Sequence, residues 1–263
     1  MNPVITFLSD YGLRDDFVGV CHGVIASICP QARVIDITHG VPRQDVRAGA
    51  AILREALPYM PPGVHVAVVD PGVGGARRAV ALGLAGGRLL VGPDNGLLWP
   101  AAVEAGGVAE AVDVGCSSFR LQPVSATFHG RDIFCPVAAR LAAGASLGEA
   151  GEPLACETLA RLELPRARRE DGALIAHVLY VDAFGNVQLD GVAADASFHS
   201  GQRLAAGAGA RSFHCTYVRT FADVDAGELL LYEDSYGRLA LAVRGGSAAE
   251  LMELAADGEV RIS

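Results

Sequence analysis

A carboxylate and two arginines flank a glycine-rich turn in the segment VVDPGVGGARR, residues 68–78. The glycines first suggest a phosphate loop, but a dinucleotide fingerprint needs a third small residue three positions after its second glycine, where a helix must begin. Arg77 stands at that position, and the residues after it have the pattern of a strand. The segment therefore indicates a turn that aims Asp70 and Arg77 at one point, where they could hold a small polar molecule.

Two carboxylates follow predicted strands. Asp10 comes after the first strand, in SDYG, and Asp70 comes after the third, in VVDPG. In open α/β sheets ligands bind beyond the carboxyl ends of the strands, so both carboxylates are expected to line one crevice. Either could instead simply open a turn. His129 and Arg131, in the irregular turn FHGRD, add a base and a cation, and the combination favours a site.

A further polar cluster lies in VDAFGN, residues 181–186. A glycine turn there is expected to expose Asp182 and Asn186 to a ligand. A hairpin turn alone would also explain an aspartate and an asparagine at these positions, and both interpretations stay open.

Two other patterns carry less chemistry. Residues 144–148, GASLG, match the nucleophile elbow of α/β-hydrolases, but a helix precedes them, and Ser146 is better explained as a helix N-cap. His129, Asp132 and Cys135 are possible metal ligands, yet Pro136 predicts that the helix starts too late to align them, and no second cluster completes a coordination sphere. The sequence therefore predicts no metal site.

Composition narrows the class of protein. The chain has 263 residues and a net charge of −9, and its 21 basic residues are all arginine, which disfavours a nucleic-acid partner and excludes chemistry that needs a lysine. The six cysteines form no C-x-x-C pair, which argues against a zinc or disulfide framework. No apolar run is long enough for a membrane span, and the amino terminus lacks the features of a signal peptide, so a cytoplasmic location is expected.

The elements that must position these residues change type along the chain. Strands are predicted at 3–9, 32–38 and 63–70, with helices at 15–29 and 45–60 between them, which indicates βαβ units and a mostly parallel sheet. After these elements we predict two strands within 78–93, a short helix, a strand at 109–115 and a helix within 128–144. Residues 152–172 have the composition of a linker. Beyond them, short alternating segments predict an antiparallel barrel or sandwich.

Seven motifs, in order along the chain, resemble the S-adenosyl-L-methionine hydroxide adenosyltransferase family, the hydrolytic relatives of the fluorinase and chlorinase. They are SDYG, VIDITHGVP (34–42), VVDPGVGGARR, GPDNGLL (92–98), TFHGRDIF (127–134), VDAFGNVQL (181–189) and LALAVRGGSAAE (239–250). The resemblance implies an α/β fold: a Rossmann-like domain with a mostly parallel sheet at residues 1–165, and an antiparallel β-barrel at residues 166–263. It also implies a homotrimer, with each active site between one subunit's first domain and its neighbour's second.

The implied reaction is hydrolysis of S-adenosyl-L-methionine to adenosine and L-methionine, without a cofactor. By similarity, the attacking water is held by Asp70, Arg77 and His129, and the first domain also binds the ribose through Asp10. The second domain supplies the remaining contacts: Asn186 and the backbone of Val243 to adenine, Asp182 to the amino group and Ser235 to the methionine carboxylate.

The chain departs from the family pattern in the segment 236–238, YGR, and at Arg244, which affects the methionine and adenine pockets. Arg78 stands next to Arg77, so the sequence leaves open which of the two faces the site. A non-catalytic adenosine-binding or nucleotide-binding protein is the main alternative. A halogenase is disfavoured, because Asp70 and His129 would repel or crowd a halide and Gly130 offers it no hydroxyl.

Overall fold

The computed structural model describes residues 2–263, which form two compact units, one ending at Glu163 and the other spanning Leu164–Ser263. The strands of the first unit are β1 (Val4–Ser9), β2 (Arg33–Thr38), β3 (Val64–Val68), β4 (Ala79–Leu84), β5 (Leu89–Pro93), β6 (Val108–Asp113) and β7 (Glu152–Leu154). Its α-helices are α1 (Phe17–Ile28), α2 (Val46–Ala56), α3 (Trp99–Glu104), α4 (Cys135–Ala142) and α5 (Leu147–Ala150). Short 3-10 turns cover Leu57–Tyr59 and Cys156–Thr158, and a π-helical turn, Gly130–Phe134, leads into α4.

The first sheet has the strand order β2-β1-β3-β5-β4-β6-β7. Its β2-β1-β3-β5 half is parallel, whereas β4, β6 and β7 are joined to it by antiparallel pairs. Because β1 and β3 pair in parallel with Ser9 opposite Val68, their carboxyl ends lie side by side. The residues that follow these two strands are therefore neighbours in space.

Burial explains why these segments form these elements. All five residues of β3 are buried, as expected for a central strand of a sheet covered on both faces. Helices α1 and α4 pack together and cover an apolar cluster with the sheet, formed among others by Ile5, Phe7, Cys21, Ile25, Val137 and Leu141. Strand β2 is only partly buried, since it forms the edge of the sheet.

The second unit is a closed barrel. Its strands are β8 (Arg168–Glu170), β9 (Ala173–Val181), β10 (Val187–Val192), β11 (Arg203–Ala208), β12 (Arg211–Val218), β13 (Leu229–Glu233), β14 (Arg238–Val243) and β15 (Glu259–Ile262), with the short helices α6 (Ala193–Ala196) and α7 (Ala248–Met252). The order β10-β14-β13-β12-β11-β15-β9 closes through pairing of β9 with β10, and β8 is added to β9. Leu189, Leu231, Leu241 and Ile262 are among the fully buried residues of its core.

The predicted fold class, an α/β unit followed by a β-barrel, is confirmed. Within the barrel one pair, β12 with β13, is parallel, so the barrel is not antiparallel throughout. The helix predicted for 45–60 ends as an α-helix at Ala56, because Pro58 lacks the N–H that would continue it. None of the helices in the described part of the chain is long and apolar enough to cross a membrane.

The two units divide between Glu163 and Leu164, within the segment 152–172 that has the composition of a linker. The ends of this segment form two short strands, since β7 extends the first sheet and β8 pairs with β9.

The prediction for the FHGRD segment was wrong. The FHGRD segment is helical from Gly130 rather than an irregular turn before Pro136. Pro136 can follow this π-helical turn because the carbonyl of Asp132, four residues earlier, accepts from Leu121 N instead.

Candidate active site

Asp70, Arg77 and His129 meet in the first unit. Arg77 Nε lies 2.9 Å from Asp70 Oδ1 and 3.0 Å from Oδ2, and Arg77 Nη2 also donates to Asp70 Oδ2. The same Nη2 is 2.7 Å from His129 Nδ1. The ring of Phe134 lies 5.4 Å from the guanidinium carbon and supports it from one side. One guanidinium thus orients both a carboxylate and an imidazole.

The glycine-rich turn makes this meeting possible. Val73 N donates to Asp70 O and Gly75 N donates to Gly72 O, which folds the chain back towards β4. Gly74 has φ +74°, and a Cβ on it would overlap the carbonyl oxygen of Ala126. The turn therefore packs directly against the segment that carries His129, and no helix follows it, as the sequence predicted.

The contact with Arg77 determines the state of His129. An arginine can only donate hydrogen bonds, so Nδ1 of His129 accepts, and the proton of the neutral ring is on Nε2. Burial and then the charge of Arg77 lower the pKa of His129, while Asp70, Asp132 and a hydrogen bond to the backbone of Ser125 oppose the shift. His129 is therefore neutral near pH 7 and presents Nε2–H as a donor.

Arg78 points to a different place. Its Nε donates to Asp94 Oδ2 at 2.8 Å, and its Nη1 donates to Thr158 Oγ1 at 3.1 Å. Asp94 also accepts from the backbone N–H of Ala160. Arg78 thus joins the segment after β7 to the start of β4 and the end of β5, and it is Arg77 that contacts Asp70.

A cavity of about 580 Å³ lies over Asp70 and His129. This volume is within the range of small-molecule sites. Its lining is both charged and aromatic, with Asp10, Asp15, Asp70, Arg43, Tyr11, Phe17 and Phe128 among the residues that contribute. The predicted residues Asp10, Asp70 and His129 all line this cavity.

Asp10 is held in place by Gln44, whose backbone has an unusual conformation. Its Oδ2 accepts a hydrogen bond of 2.8 Å from the N–H of Gln44. Gln44 has φ +63°, a left-handed conformation that costs free energy for a residue with a side chain. Strain of this kind is typical of functional sites, and here it leaves Asp10 partly exposed to the cavity.

The sequence did not single out the aromatic wall of the cavity. Tyr11, Phe17 and Phe128 form a cluster with ring centroids 5.2–5.9 Å apart. Burial raises the pKa of the Tyr11 phenol, which therefore stays neutral. A Cβ on Gly130 would overlap the hydroxyl of Tyr11, so glycine is required beside His129. The motifs SDYG and FHGRD contained Tyr11 and Phe128, but only their tertiary contact shows the shared wall.

The predicted residues of the second unit lie in two turns and at a strand end. Asp182 Oδ1 accepts from the N–H groups of Phe184 and Asn186, and Oδ2 accepts from Asn186 Nδ2 at 2.8 Å. Asn186 is buried, so the turn does not expose it as predicted, because its amide completes the turn. Ser235 is exposed in the turn between β13 and β14, and Val243 ends β14 half-buried.

The possible metal ligands His129, Asp132 and Cys135 are engaged separately. Asp132 pairs with Arg131 at 2.6 Å and accepts from Ser125 N at 2.8 Å. Cys135 is fully buried, and its hydrogen bond with the Cys21 thiol, followed by burial, raises its pKa. Arg131 therefore neutralises Asp132, and its guanidinium lies over the ring of Phe128.

Comparison with known proteins gives matches over nearly the whole chain. The family model of the SAM hydroxide adenosyltransferase N-terminal domain matches residues 5–151, and that of the C-terminal domain matches residues 176–261. A protein of Salinispora tropica named (R)-S-adenosyl-L-methionine hydrolase is 52% identical over 99% of this chain and 98% of its own. A fluorinase from an Actinoplanes species is 30% identical over 92% of this chain and 91% of its own. The crystal structure of an uncharacterized conserved protein from Thermotoga maritima has a TM-score of 0.90 at 37% identity, covering 98% of this chain and 100% of that one.

Proposed function

The chain belongs to the SAM hydroxide adenosyltransferase family, and from this premise we propose that it hydrolyses S-adenosyl-L-methionine to adenosine and L-methionine. A relative with 52% identity over 99% of the chain is named (R)-S-adenosyl-L-methionine hydrolase. The observation that carries the proposal is the joint orientation of Asp70 and His129 by Arg77 at the floor of the cavity.

The chemistry of the substrate explains what such a site must do. A sulfonium is already a good leaving group, so displacement of methionine from the ribose C5′ carbon needs no acid. It needs an oxygen nucleophile held in line with the C–S bond, and such positioning is worth up to about 7–11 kcal/mol in favourable cases. The site therefore has to bind one water molecule and fix the ribose relative to it.

We assign different roles to the three residues that hold the water. Asp70 accepts a hydrogen bond from the water and takes its proton as the C–O bond forms. His129, with its proton on Nε2, donates to the same oxygen and stabilises its hydroxide character. Arg77 keeps both groups in place, and burial together with the charge of Arg77 lowers the pKa of His129 and keeps the imidazole neutral, so His129 acts as a donor rather than as the general base.

Asp10 is the proposed ribose ligand. One of its carboxylate oxygens is engaged by Gln44 N, and the carboxylate lines the same cavity as Asp70. A carboxylate can accept from both ribose hydroxyls and so fix C5′ near the water. The cavity has the volume that a nucleoside needs.

Hydrolysis is favoured over halogenation by the charge at the nucleophile position. The Asp70 carboxylate would repel a halide, whereas it binds water. Gly130 supplies no hydroxyl, and the hydroxyl of Tyr11 occupies the space that a side chain there would need. The fluorinase relative is also the more distant one, at 30% identity.

The second unit is proposed to supply the other substrate contacts: Asn186 and the backbone of Val243 to adenine, Asp182 to the amino group and Ser235 to the methionine carboxylate. The residues that line the cavity lie between Asp10 and Gly130, so we propose a homotrimer in which a neighbouring subunit's second unit completes each site. The proposed reaction uses no cofactor and no nucleic-acid partner. The cysteines are free thiols, which supports the proposed cytoplasmic location.

Product analysis tests the activity. The protein is incubated with the separated (R) and (S) forms of S-adenosyl-L-methionine, and adenosine and L-methionine are quantified by chromatography. We expect adenosine well above the uncatalysed control and a loss of more than about a hundredfold in turnover for Asp70→Ala, with adenosine binding retained. Binding by calorimetry without adenosine formation would support a non-catalytic nucleoside-binding protein instead.

A further inference from the structure

Three side chains with metal-ligating atoms converge at the edge of the first sheet, away from the cavity. They are His22 on α1, Asp36 on β2 and His39 just after β2. His22 Nε2 lies 2.9 Å from Asp36 Oδ1, and His39 Nε2 lies 3.1 Å from the same oxygen. One ligating atom from each residue falls within 4.8 Å of the others.

His39 is the unusual member of this group. Its side chain is 2% exposed, and its ring packs edge-on against Phe7 at a centroid distance of 4.7 Å. Nδ1 lies 2.7 Å from Ser9 Oγ, which fixes the direction of the ring. Nε2 is buried and makes no hydrogen bond, although it is close to Asp36. A buried nitrogen without a hydrogen bond costs free energy unless another partner binds it.

A hydrogen bond joins His22 to Asp36, whereas a shared cation would also give His39 Nε2 a partner. Zinc binds imidazole nitrogens and carboxylate oxygens at about 2.0–2.2 Å, so the ligands of a tetrahedral site lie roughly 3.3 Å from one another. The two N–O separations at Asp36 Oδ1 are close to that value. A hydrogen bond donated by His39 Nδ1–H to Ser9 Oγ would be the outer contact that orients this ligating histidine.

We propose that His22 Nε2, Asp36 Oδ1 and His39 Nε2 bind a zinc ion, with the remaining position taken by water. Two nitrogens and one oxygen suit zinc, and the half-exposed His22 and the exposed Asp36 give the ion a path from solvent. The sequence predicted no metal site, because His22 and Asp36 are 14 residues apart and no spacing motif joins them.

The role of this ion is structural. It fastens α1 to the edge strand β2, which has a sheet neighbour on one side only. His39 also contacts the chain that leads into the cavity, because its carbonyl accepts from Gly12 N at 2.7 Å and its Nδ1 contacts Ser9. None of the three ligands lines the cavity, so the proposal does not depend on the hydrolytic activity.

Cobalt(II) titration of the full chain, after treatment with a chelator, tests the site. We expect visible d–d absorption that saturates at one ion per chain, and displacement of cobalt by zinc. His22→Ala and Asp36→Asn should weaken zinc binding by more than about tenfold in competition with a chromophoric chelator. His214→Ala removes an exposed histidine elsewhere, on β12, and should leave the affinity unchanged.

Thermal unfolding provides a second measurement with the same proteins. Zinc should raise the Tm of the wild type and of His214→Ala, but not that of Asp36→Asn, because the ion binds only the folded site. Equal zinc affinity in all four proteins would overturn the proposal. So would a sulfur-to-cobalt charge-transfer band that persists in the variants, since it would place the ion at an exposed thiol such as Cys116.

Discussion

At the scale of single residues, Arg77 is the side chain on which the site depends. Its guanidinium donates to Asp70 through two nitrogens and to His129 through one of them. A planar fork can make these bonds together, whereas a lysine ammonium is a point charge on a flexible stem. The fixed geometry of the carboxylate and the imidazole follows from this one residue.

Arg77→Lys should therefore lower kcat by roughly 10²–10³, the range seen when one preorganised donor is removed. Adenosine binding should change little, because Arg77 is assigned to the water and not to the nucleoside. Steady-state kinetics and calorimetry measure the two effects. Arg78→Lys is the matched control and should keep kcat, since Arg78 contacts Asp94 and Thr158; equal losses in both variants would refute the assignment.

The pKa of His129 gives a prediction on pH. Burial and Arg77 lower this pKa, so the ring stays neutral as pH falls through the ordinary histidine range and is protonated only at lower pH. If the neutral ring is needed, kcat/KM should hold down to about pH 6.5 and fall below it. Titration of the His129 ring by NMR should give a midpoint below about 6.5, and a midpoint above that value would contradict the prediction.

At the scale of elements, the turns after β1 and β3 and the π-helical turn before α4 bring the site together. β1 and β3 pair in parallel, which sets Asp10 and Asp70 at adjacent strand ends. The π-helical turn begins at Gly130, directly under the Tyr11 hydroxyl. A π-helical turn inside a helix is frequent at functional sites, and here it follows His129.

Gly130→Ala should reduce the free energy of unfolding by about 1–3 kcal/mol, the cost of inserting a methyl group into a packed site. Tyr11→Phe removes the hydroxyl that the new Cβ would overlap, so Gly130→Ala should cost less in that background. The relief should be partial, because Tyr11 Cζ would still lie 3.1 Å from the Cβ. Urea unfolding of the four proteins measures the coupling.

Gly148→Ala is the control for this cycle. Gly148 lies in α5, and a Cβ there would meet no atom within 4 Å. This variant therefore measures the gain in helix propensity from glycine to alanine without any steric overlap. Gly148→Ala should be neutral or stabilising. If Gly130→Ala cost the same with and without the Tyr11 hydroxyl, the proposed close contact would be wrong.

At the scale of the whole molecule, we propose that the first unit binds the water and the ribose and that the barrel makes the remaining contacts with the substrate. Light scattering should give three times the chain mass of 27.2 kDa if the proposed trimer forms. The mass alone does not show whether two chains build each active site, so a second experiment mixes two inactive variants.

Ser235→Trp changes an exposed residue of the barrel and should abolish turnover by blocking the proposed methionine pocket. Co-expression with Asp70→Ala should then restore activity at roughly a quarter of the sites, because random mixing pairs an intact first unit with a neighbour's intact barrel. Adenosine formation measures the recovery. No recovery from a mixed trimer would mean that each chain builds its own site.

The sequence by itself determined the elements and the family. Alternation of apolar strands and helices predicted the α/β unit, and short alternating segments predicted an antiparallel barrel or sandwich. Seven ordered motifs pointed to the SAM hydroxide adenosyltransferase family, which the comparisons confirm and whose resemblance implied the barrel. These features are local, because the period of apolar residues and the chemistry of turns depend on neighbours along the chain.

Only the tertiary structure decided which side chains meet. Arg77 and Arg78 are adjacent in sequence, yet one contacts Asp70 and the other Asp94, because successive residues of extended chain point to opposite sides. The amide of Asn186 turned inward onto Asp182, and His39 reached Asp36 from inside the fold. Such contacts depend on strand pairing and helix packing between distant segments, which the spacing of residues along one chain does not encode.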